Sequence, residues 1–218
     1  MDRKEMRVWA QKRVHPLVLA LDRMGLTPNG VSLIGLLISI LAGWIAAKGA
    51  LFLGGIVLLV GSVFDMLDGN LARLQNKVSR QGAFLDSNFD RLAEAAVYTG
   101  LAWYYMEVLT WPDSAAVILI MLTLIGSITT SYARARAEGL GTTCFGGWLQ
   151  RPERMVLLIA GMLLGHAILK LVLFFLAVVT LWTTLQRIVS SSRKLAAEDD
   201  AVQVADATPP DQADRTDV

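Results

Sequence analysis

Apolar residues occur along this chain in long runs that alternate with short polar segments rich in charged side chains. Each run is close to the ~20 residues that an α-helix needs to cross the hydrocarbon core of a bilayer. Of the 218 residues, 54% are hydrophobic and mean hydropathy is +0.49, which is high for a water-soluble domain of this length. The pattern predicts an all-α integral membrane protein with six transmembrane helices, near residues 31–47, 51–64 and onward, 92–106, 115–132, 155–168 and 169–188.

The two ends of the chain differ in composition from these apolar runs. Residues 1–26 mix Arg and Lys with apolar side chains, as in an amphipathic helix lying on the membrane interface, although a solvated helix with a modest apolar stripe would look similar. Asn29 is the predicted N-cap of the first membrane helix. Residues 195–218 are acidic and poor in large apolar groups, which predicts a disordered tail. The six-helix domain would therefore occupy residues 27–194.

Positively charged residues lie mostly on one side of the predicted membrane. If both ends of the chain are on that side, all but two of the 20 Lys and Arg residues fall there, the exceptions being Lys48 and Lys170. Cytoplasmic segments of membrane proteins carry such an excess of positive charge. We therefore expect a multi-pass protein of the plasma membrane, embedded in membrane lipids, with both termini in the cytoplasm.

Four aspartates interrupt the apolar pattern over residues 65–90. Asp65 and Asp68 are three residues apart and Asp86 and Asp90 are four apart, so each pair lies on one face of a helix. Ionised side chains in apolar segments are costly and usually functional. Two such helices face to face would bring the carboxylates together, an arrangement that hard cations such as Mg²⁺ or Mn²⁺ stabilise. Solvated carboxylates at helix ends could also have this spacing.

Small and basic residues accompany these aspartates. Gly69 and Gly82 leave room for a ligand beside the acidic face, and Arg73 adds a cation whose planar fork suits phosphate. Together they indicate a pyrophosphate held for displacement at a two-metal site. The whole pattern is Asp65-x-x-Asp68-Gly69-x-x-Ala72-Arg73, eight residues, then Gly82-x-x-x-Asp86-x-x-x-Asp90. It resembles the signature of the CDP-alcohol phosphatidyltransferase family at every fixed position.

The resemblance implies a membrane enzyme that transfers a phosphatidyl group from CDP-diacylglycerol to an alcohol and releases CMP. It assigns two Mg²⁺ or Mn²⁺ ions to Asp65, Asp68, Asp86 and Asp90, and it makes Asp90 the general base as well. The CDP-lipid would contact Asn29, Gly30, Val31, Ser32, Gly69, Ala72, Arg73, Ser79 and Gly82. For Ser32 and Ser79, an ordinary loop or cap role is an equally good account. A homodimer is implied, and no nucleic acid is expected among the partners.

A second set of basic residues bears on the identity of the alcohol. Five arginines lie near one predicted cytoplasmic mouth: Arg134, Arg136, Arg151, Arg154 and Arg187. They could jointly bind a phosphate on the incoming alcohol, although the positive-inside bias would also place arginines here. The pattern resembles phosphatidylinositol phosphate synthases, which use inositol phosphate, with glycerol-3-phosphate and phosphatidylglycerophosphate synthesis as the alternative. A cation-binding transport or scaffold protein that has kept the acidic site without the chemistry is the alternative from another class.

Overall fold

The computed structural model describes residues 14–144 and 149–207, and within these ranges the chain consists of helices and short connections, without a strand. The all-α prediction is therefore confirmed for the described residues. Those parts of the predicted N-terminal helix and acidic tail that fall in residues 1–13 and 208–218 lie outside them. The helices are α1 (residues 14–23), α2 (Pro28–Ala47), α3 (Leu51–Leu74), α4 (Arg80–Trp103), α5 (Ser114–Gly139), α6 (Arg151–Leu164) and α7 (His166–Ala207), with a π-helical turn at Tyr104–Val108.

Side-chain caps fix where the helices around the aspartates begin. Thr27 Oγ1 accepts a hydrogen bond from Gly30 N at 3.2 Å, so the cap of α2 is Thr27 and the predicted cap at Asn29 is wrong. Asn29 lies instead in the first turn of α2. Ser79 Oγ accepts a hydrogen bond from Gly82 N at 3.0 Å and caps α4. Both caps use short polar side chains because the first N–H groups of a helix have no partner within it.

Four of these helices are long and apolar enough to cross a membrane: α2, α3, α5 and the part of α7 over His166–Ala201. Helix α4 carries charged side chains through its first half. Helix α6 has 14 residues, which gives it a length of about 21 Å, less than a ~30 Å hydrocarbon core. The six predicted apolar runs thus correspond to helices α2 to α7, and four of the six meet the requirements of a membrane span.

The boundary between the last two helices differs from the predicted one. Helix α6 ends at Leu164, and Gly165 adopts a φ of +98°, in the region that favours glycine. Helix α7 then runs for 42 residues and ends at Ala207. Residues 195–207 continue this helix, so the predicted disorder of the acidic tail does not apply to them.

Consecutive helices alternate in direction, and their packing gathers the starts of α2, α4 and α6 at one end of the bundle with the end of α3. Helix α2 packs against both α3 and α4, α6 contacts α3 and α7, and α5 packs against α7. The closest approach is between α2 and α4, where a Cβ added to Gly100 would lie 2.0 Å from the carbonyl oxygen of Gly43. Glycine at both positions lets the two backbones touch.

Helix α1 is attached to the end of the bundle that carries the aspartates. An apolar cluster joins it to α2 and α3, made of Val14, Val18, Val31, Leu67 and Leu71. Gln75, which follows α3, donates hydrogen bonds from Nε2 to Asp22 Oδ1 at 2.8 Å and to the carbonyl of Leu26 at 3.0 Å. The connection between α1 and α2 is therefore held against the C-terminal end of α3.

The opposite end of the bundle is closed by polar contacts between distant segments. The Tyr105 hydroxyl donates to the carbonyl of His166 at 2.6 Å. Lys170 Nζ donates to Asp113 Oδ2 at 2.6 Å, while Asp113 Oδ1 caps α5 by accepting from Ala116 N at 3.1 Å. The hydrogen bond from Lys170 lowers the pKa of Asp113 below its ordinary value. These contacts tie the start of α5 to the start of α7.

Candidate active site

Three carboxylates meet where the end of α3 faces the start of α4. Asp65 and Asp68 come from α3 and Asp86 from α4, and one oxygen from each lies within 4.8 Å of the others. Asp68 is 6% exposed, and its Oδ2 accepts a hydrogen bond from Ser32 Oγ of α2 at 2.5 Å. A set of oxygen donors alone at this spacing suits a hard divalent cation. The residues present therefore fit the predicted Mg²⁺ or Mn²⁺.

Asp90 lies beside this group and is paired with an arginine. Its Oδ1 is 2.7 Å from Nη1 of Arg151, and the same nitrogen donates a hydrogen bond to Oδ2 of Asp65. Arg151 is the first residue of α6. The sequence predicted that Arg151 would bind the phosphate of the acceptor, whereas the structure places its guanidinium between two of the four aspartates. Asp90 itself is close enough to Asp65 and Asp86 to interact with both.

A cavity of about 190 Å³ opens beside the carboxylates. Seven of the nine residues predicted to contact the CDP-lipid line it: Asn29, Ser32, Gly69, Ala72, Arg73, Ser79 and Gly82. Asp68 and Asp86 also line it, so the cavity and the carboxylate cluster share a wall. Gly30 and Val31 are not on that wall, because Gly30 N is bonded to Thr27 and the Val31 side chain is buried against α1 and α3.

Two glycines keep this cavity open. A Cβ added to Gly69 would come no closer than 3.9 Å to another side chain, that of Arg73, so it would occupy free space. A Cβ on Gly82 would lie 3.2 Å from Ser79 Oγ and 3.4 Å from Asn29 Oδ1, both of which belong to residues on the cavity wall. Neither glycine needs an unusual φ, so their role is the absence of a side chain.

One basic residue on the cavity wall had no predicted role. Lys77 lies in the connection between α3 and α4, within the eight-residue spacer of the sequence motif. The spacer has no fixed residues, so the motif gave no reason to select it. The sequence did offer one signal for Lys77, namely its position four residues after Arg73 and close to the polar turn at which α4 begins. With Arg73 it gives the cavity wall two cations in addition to the two carboxylates.

The five arginines predicted to bind the acceptor do not act as one group. Arg187 of α7 lies within electrostatic range of Arg134 of α5 and Arg154 of α6, and also of Glu138. Arg134 also pairs with Glu138 at 2.8 Å on the exposed side of α5. Arg136 lines a separate cavity of about 540 Å³ between α5 and α7, which Arg187 also lines.

A buried polar network surrounds Arg154. The guanidinium donates from Nη2 to Ser127 Oγ at 2.8 Å, and Ser127 Oγ donates to Glu94 Oε2 at 2.7 Å. Nη2 of Arg154 is 3.7 Å from Glu94 Oε1. Sequence reasoning did not single out Glu94, although an acidic residue four positions after Asp90 in an apolar stretch was a visible signal.

Residues 25–186 match the sequence pattern of the family described as CDP-alcohol phosphatidyltransferase. The chain belongs to this family. The family prediction drawn from the eight fixed positions is thereby confirmed, and the protein is a phosphatidyltransferase.

Relatives of this phosphatidyltransferase include two synthases of similar length. It is 36% identical over 182 residues to the phosphatidylinositol phosphate synthase of Mycobacteroides abscessus, covering 81% of this chain and 82% of the relative. It is 37% identical over 177 residues to the archaetidylinositol phosphate synthase of Pyrococcus horikoshii, covering 80% and 88%.

Solved structures of the Mycobacterium tuberculosis phosphatidylinositol phosphate synthase share the fold of this phosphatidyltransferase. The crystal structure with CDP-DAG bound gives a TM-score of 0.74 at 33% identity, covering 81% of this chain and 92% of that one. The complex with manganese and citrate gives a TM-score of 0.75 at 33% identity, covering 81% and 87%.

Proposed function

We propose that this phosphatidyltransferase transfers the phosphatidyl group of CDP-diacylglycerol to inositol phosphate, forming phosphatidylinositol phosphate and releasing CMP. The observation that carries the proposal is the wall shared by the cavity and the carboxylate cluster, at Asp68 and Asp86. A nucleotide-linked pyrophosphate in the cavity would lie directly beside donors for divalent cations. The names of the relatives and the neighbouring structure with CDP-DAG bound support the same substrates.

We assign Asp65, Asp68, Asp86 and Asp90 to two divalent ions, Mg²⁺ or Mn²⁺. The spacing of the first three carboxylates and the manganese complex of the neighbouring structure support this assignment. When bound, such ions neutralise pyrophosphate charge and stabilise the leaving CMP. Arg73, on the cavity wall, would add a fixed cation with two donors in one plane for the same phosphates.

Asp90 is assigned as the general base for the acceptor hydroxyl. One of its oxygens, Oδ1, forms an ion pair with Nη1 of Arg151 at 2.7 Å, without a hydrogen bond among the described residues. The other oxygen, Oδ2, is 3.8 Å from Nη1 of Arg91, beyond hydrogen-bond distance, so it can accept a proton. The proton would move to Oδ2 as the acceptor oxygen attacks the phosphorus of the phosphatidyl group and the bond to CMP breaks.

The acceptor phosphate is assigned to Arg134, Arg154 and Arg187. Arg187 of α7 lies within electrostatic range of Arg134 of α5 and Arg154 of α6, and a dianionic phosphate among them would offset the repulsion that Arg187 experiences. Inositol without a phosphate could not do so. Glycerol-3-phosphate carries the same group, so the acceptor assay described below includes it as a competing outcome.

We further propose that α2 to α7 all span the plasma membrane, with α1 on its inner leaflet and both termini in the cytoplasm. The one-sided distribution of Lys and Arg supports this orientation. In α1, Val14 and Val18 face the bundle, whereas Leu17 is 50% exposed, as expected for a helix that also contacts lipid. A homodimer is proposed from the family resemblance.

An acceptor assay tests the proposed function. Purified protein would be given CDP-diacylglycerol and Mg²⁺ or Mn²⁺ with inositol phosphate, free inositol, glycerol-3-phosphate or serine, and CMP release would be measured. We expect inositol phosphate to be favoured over free inositol by well over tenfold, since a lost charge-assisted contact costs roughly 1.5–3 kcal/mol. Preference for glycerol-3-phosphate would indicate a phosphatidylglycerophosphate synthase. No CMP release with any acceptor would favour the cation-binding alternative without chemistry.

A further inference from the structure

A buried polar layer lies one helical turn behind the pair formed by Asp90 and Arg151. Glu94 on α4 is 3% exposed, Ser127 on α5 is 1% exposed and Arg154 on α6 is 4% exposed. Glu94 follows Asp90 by four residues and Arg154 follows Arg151 by three, so the second layer repeats the pairing of an α4 acid with an α6 arginine. In the second layer, however, a serine from a third helix stands between the acid and the arginine.

The hydrogen bonds of this layer run in one direction only. A guanidinium can only donate, so Arg154 Nη2 uses a lone pair of Ser127 Oγ at 2.8 Å. The single hydroxyl proton of Ser127 then goes to Glu94 Oε2 at 2.7 Å. The carboxylate therefore fixes the rotation of the hydroxyl, and the hydroxyl fixes the guanidinium. At 3.7 Å, the direct contact between Glu94 and Arg154 is too long to orient the arginine.

One donor of the oriented guanidinium has no partner in the described part of the chain. Nε of Arg154 is buried and makes no hydrogen bond there. Buried donors are nearly always paired, and an unpaired one on a held side chain indicates a place for an acceptor from a ligand. Arg187 lies within electrostatic range of Arg154, so a second cation is available to the same acceptor in addition to the one that Glu94 balances.

We propose that Glu94, acting through Ser127, is a positioning residue that holds Arg154 in the orientation needed to bind the phosphate of the acceptor alcohol. This rests on the proposed function, in which that phosphate binds Arg134, Arg154 and Arg187. Glu94 does not touch the acceptor itself. Its carboxylate also balances the charge of Arg154 between substrate encounters, which permits a guanidinium to stay buried at 4% exposure.

The competing account is that Glu94 and Arg154 form an ion pair that only stabilises the fold. Variants of Ser127 distinguish the two accounts. Ser127→Ala removes the link that orients Arg154 but leaves both charges in place, and it should lower Tm modestly because Arg154 Nη2 and Glu94 Oε2 each lose a buried partner. Ser127→Thr keeps the hydroxyl. Thr123→Val is the matched control, because Thr123 is one turn earlier on α5, is fully buried and donates hydrogen bonds to the backbone carbonyls of Leu119 and Leu173.

The test measures KM for inositol phosphate, KM for CDP-diacylglycerol, kcat, and inhibition by inorganic phosphate in the purified proteins. For Ser127→Ala we expect the acceptor KM and the phosphate inhibition constant to rise together by about tenfold, and KM for CDP-diacylglycerol to stay within about twofold. Ser127→Thr should recover most of the loss, and Thr123→Val should match the wild type. Glu94→Gln should act in the same direction as Ser127→Ala where it folds.

The other possible results of these assays would overturn either the role of Glu94 or the proposed acceptor, and the two cases can be told apart. An unchanged acceptor KM in Ser127→Ala, in an enzyme that requires inositol phosphate, would overturn the role of Glu94 and leave the proposed function standing. A rise in KM for CDP-diacylglycerol equal to the rise in the acceptor KM would also overturn it, in favour of a structural ion pair. Wild-type enzyme that used free inositol as well as inositol phosphate would overturn the proposed acceptor, whatever the variants did.

Discussion

Nη1 of Arg151 lies 2.7 Å from Oδ1 of Asp90, at the point where α6 begins beside the carboxylate cluster. The same nitrogen donates to Asp65, so one guanidinium connects an aspartate of α3 with an aspartate of α4. Arg151 is only about one-fifth exposed, and a charge pair with so little water around it interacts strongly. Arg151 therefore contacts the carboxylate cluster, and its role at the acceptor phosphate stays a prediction.

This relationship makes Arg151→Gln a diagnostic variant. Removing Arg151 leaves the partly buried carboxylates of Asp65 and Asp90 without the cation that they share. We expect kcat to fall by more than about tenfold while the acceptor KM changes less than about threefold. Steady-state kinetics with both substrates measures the two. If only the acceptor KM rose in this variant, Arg151 would be assigned to binding of the acceptor phosphate.

The carboxylate cluster predicts metal dependence that one conservative change can test. Asp86→Asn keeps the size of the side chain and removes one charged donor, and it leaves the two aspartates that Arg151 contacts unchanged. We expect CMP release to fall to roughly 1% or less and Mn²⁺ affinity, measured by electron paramagnetic resonance, to fall with it. Asp113→Asn, at the opposite end of the bundle, is the control. Activity that survived excess chelator in the wild type would contradict the two-metal assignment.

Gly69 offers a test in which stability and activity should move in opposite directions. A Cβ there meets nothing within 3.9 Å, and Gly→Ala inside a helix stabilises it by up to about 1 kcal/mol. We expect Gly69→Ala to keep or raise Tm yet raise the KM for CDP-diacylglycerol by about tenfold, because the methyl group occupies the cavity. Gly139→Ala, at the end of α5 with nothing within 4 Å and not on the cavity wall, is the control. An unchanged KM in Gly69→Ala would argue against the CDP-lipid lying on this wall.

The contact between Asp113 and Lys170 predicts a pH-dependent contribution to stability. Because the hydrogen bond from Lys170 lowers the pKa of Asp113 below the ordinary 3.8, the contribution is complete above that value and is lost as the pH falls through the lowered pKa. Both side chains are partly exposed, so the effect is small. At pH 7 we expect Asp113→Asn to lower Tm by roughly 1–3 °C, and the difference should shrink as the pH is lowered below 3.8. A constant difference across pH would assign the effect to capping of α5.

The parts of the site that sequence alone could predict are those fixed by local spacing. Asp65, Asp68 and Asp86 converge because helical periodicity puts the pairs on faces of consecutive helices joined by a short turn. Gly69 and Gly82 line the cavity for the same reason. The cap of α2 was misplaced by two residues because Thr and Asn are both good caps, and only the backbone conformation selects Thr27.

Local spacing in the sequence could not predict the contacts between helices that are distant in the chain. Arg151 and Arg154 are three residues apart on α6, and composition alone assigned both to one phosphate site. The rotation of α6 against α3 and α4 decides that Arg151 meets Asp65 and Asp90, while Arg154 meets Ser127. That rotation depends on the packing of apolar side chains such as Leu158 and Met162, which the sequence pattern does not specify.

The backbone contact between Gly43 and Gly100 sets the angle between α2 and α4, and therefore the spacing of the cavity walls at their other ends. From that crossing, α2 reaches back eleven residues to Ser32 and α4 fourteen residues to Asp86, or about 16 Å and 21 Å along the two axes. A methyl group wedged between the glycines that splayed the helices by about 5° would swing their far ends apart by roughly 1.5–2 Å. That exceeds the ~0.5 Å within which reacting groups must be held. A single methyl group at the far end of the bundle would therefore displace the reacting groups of the active site by more than catalysis tolerates.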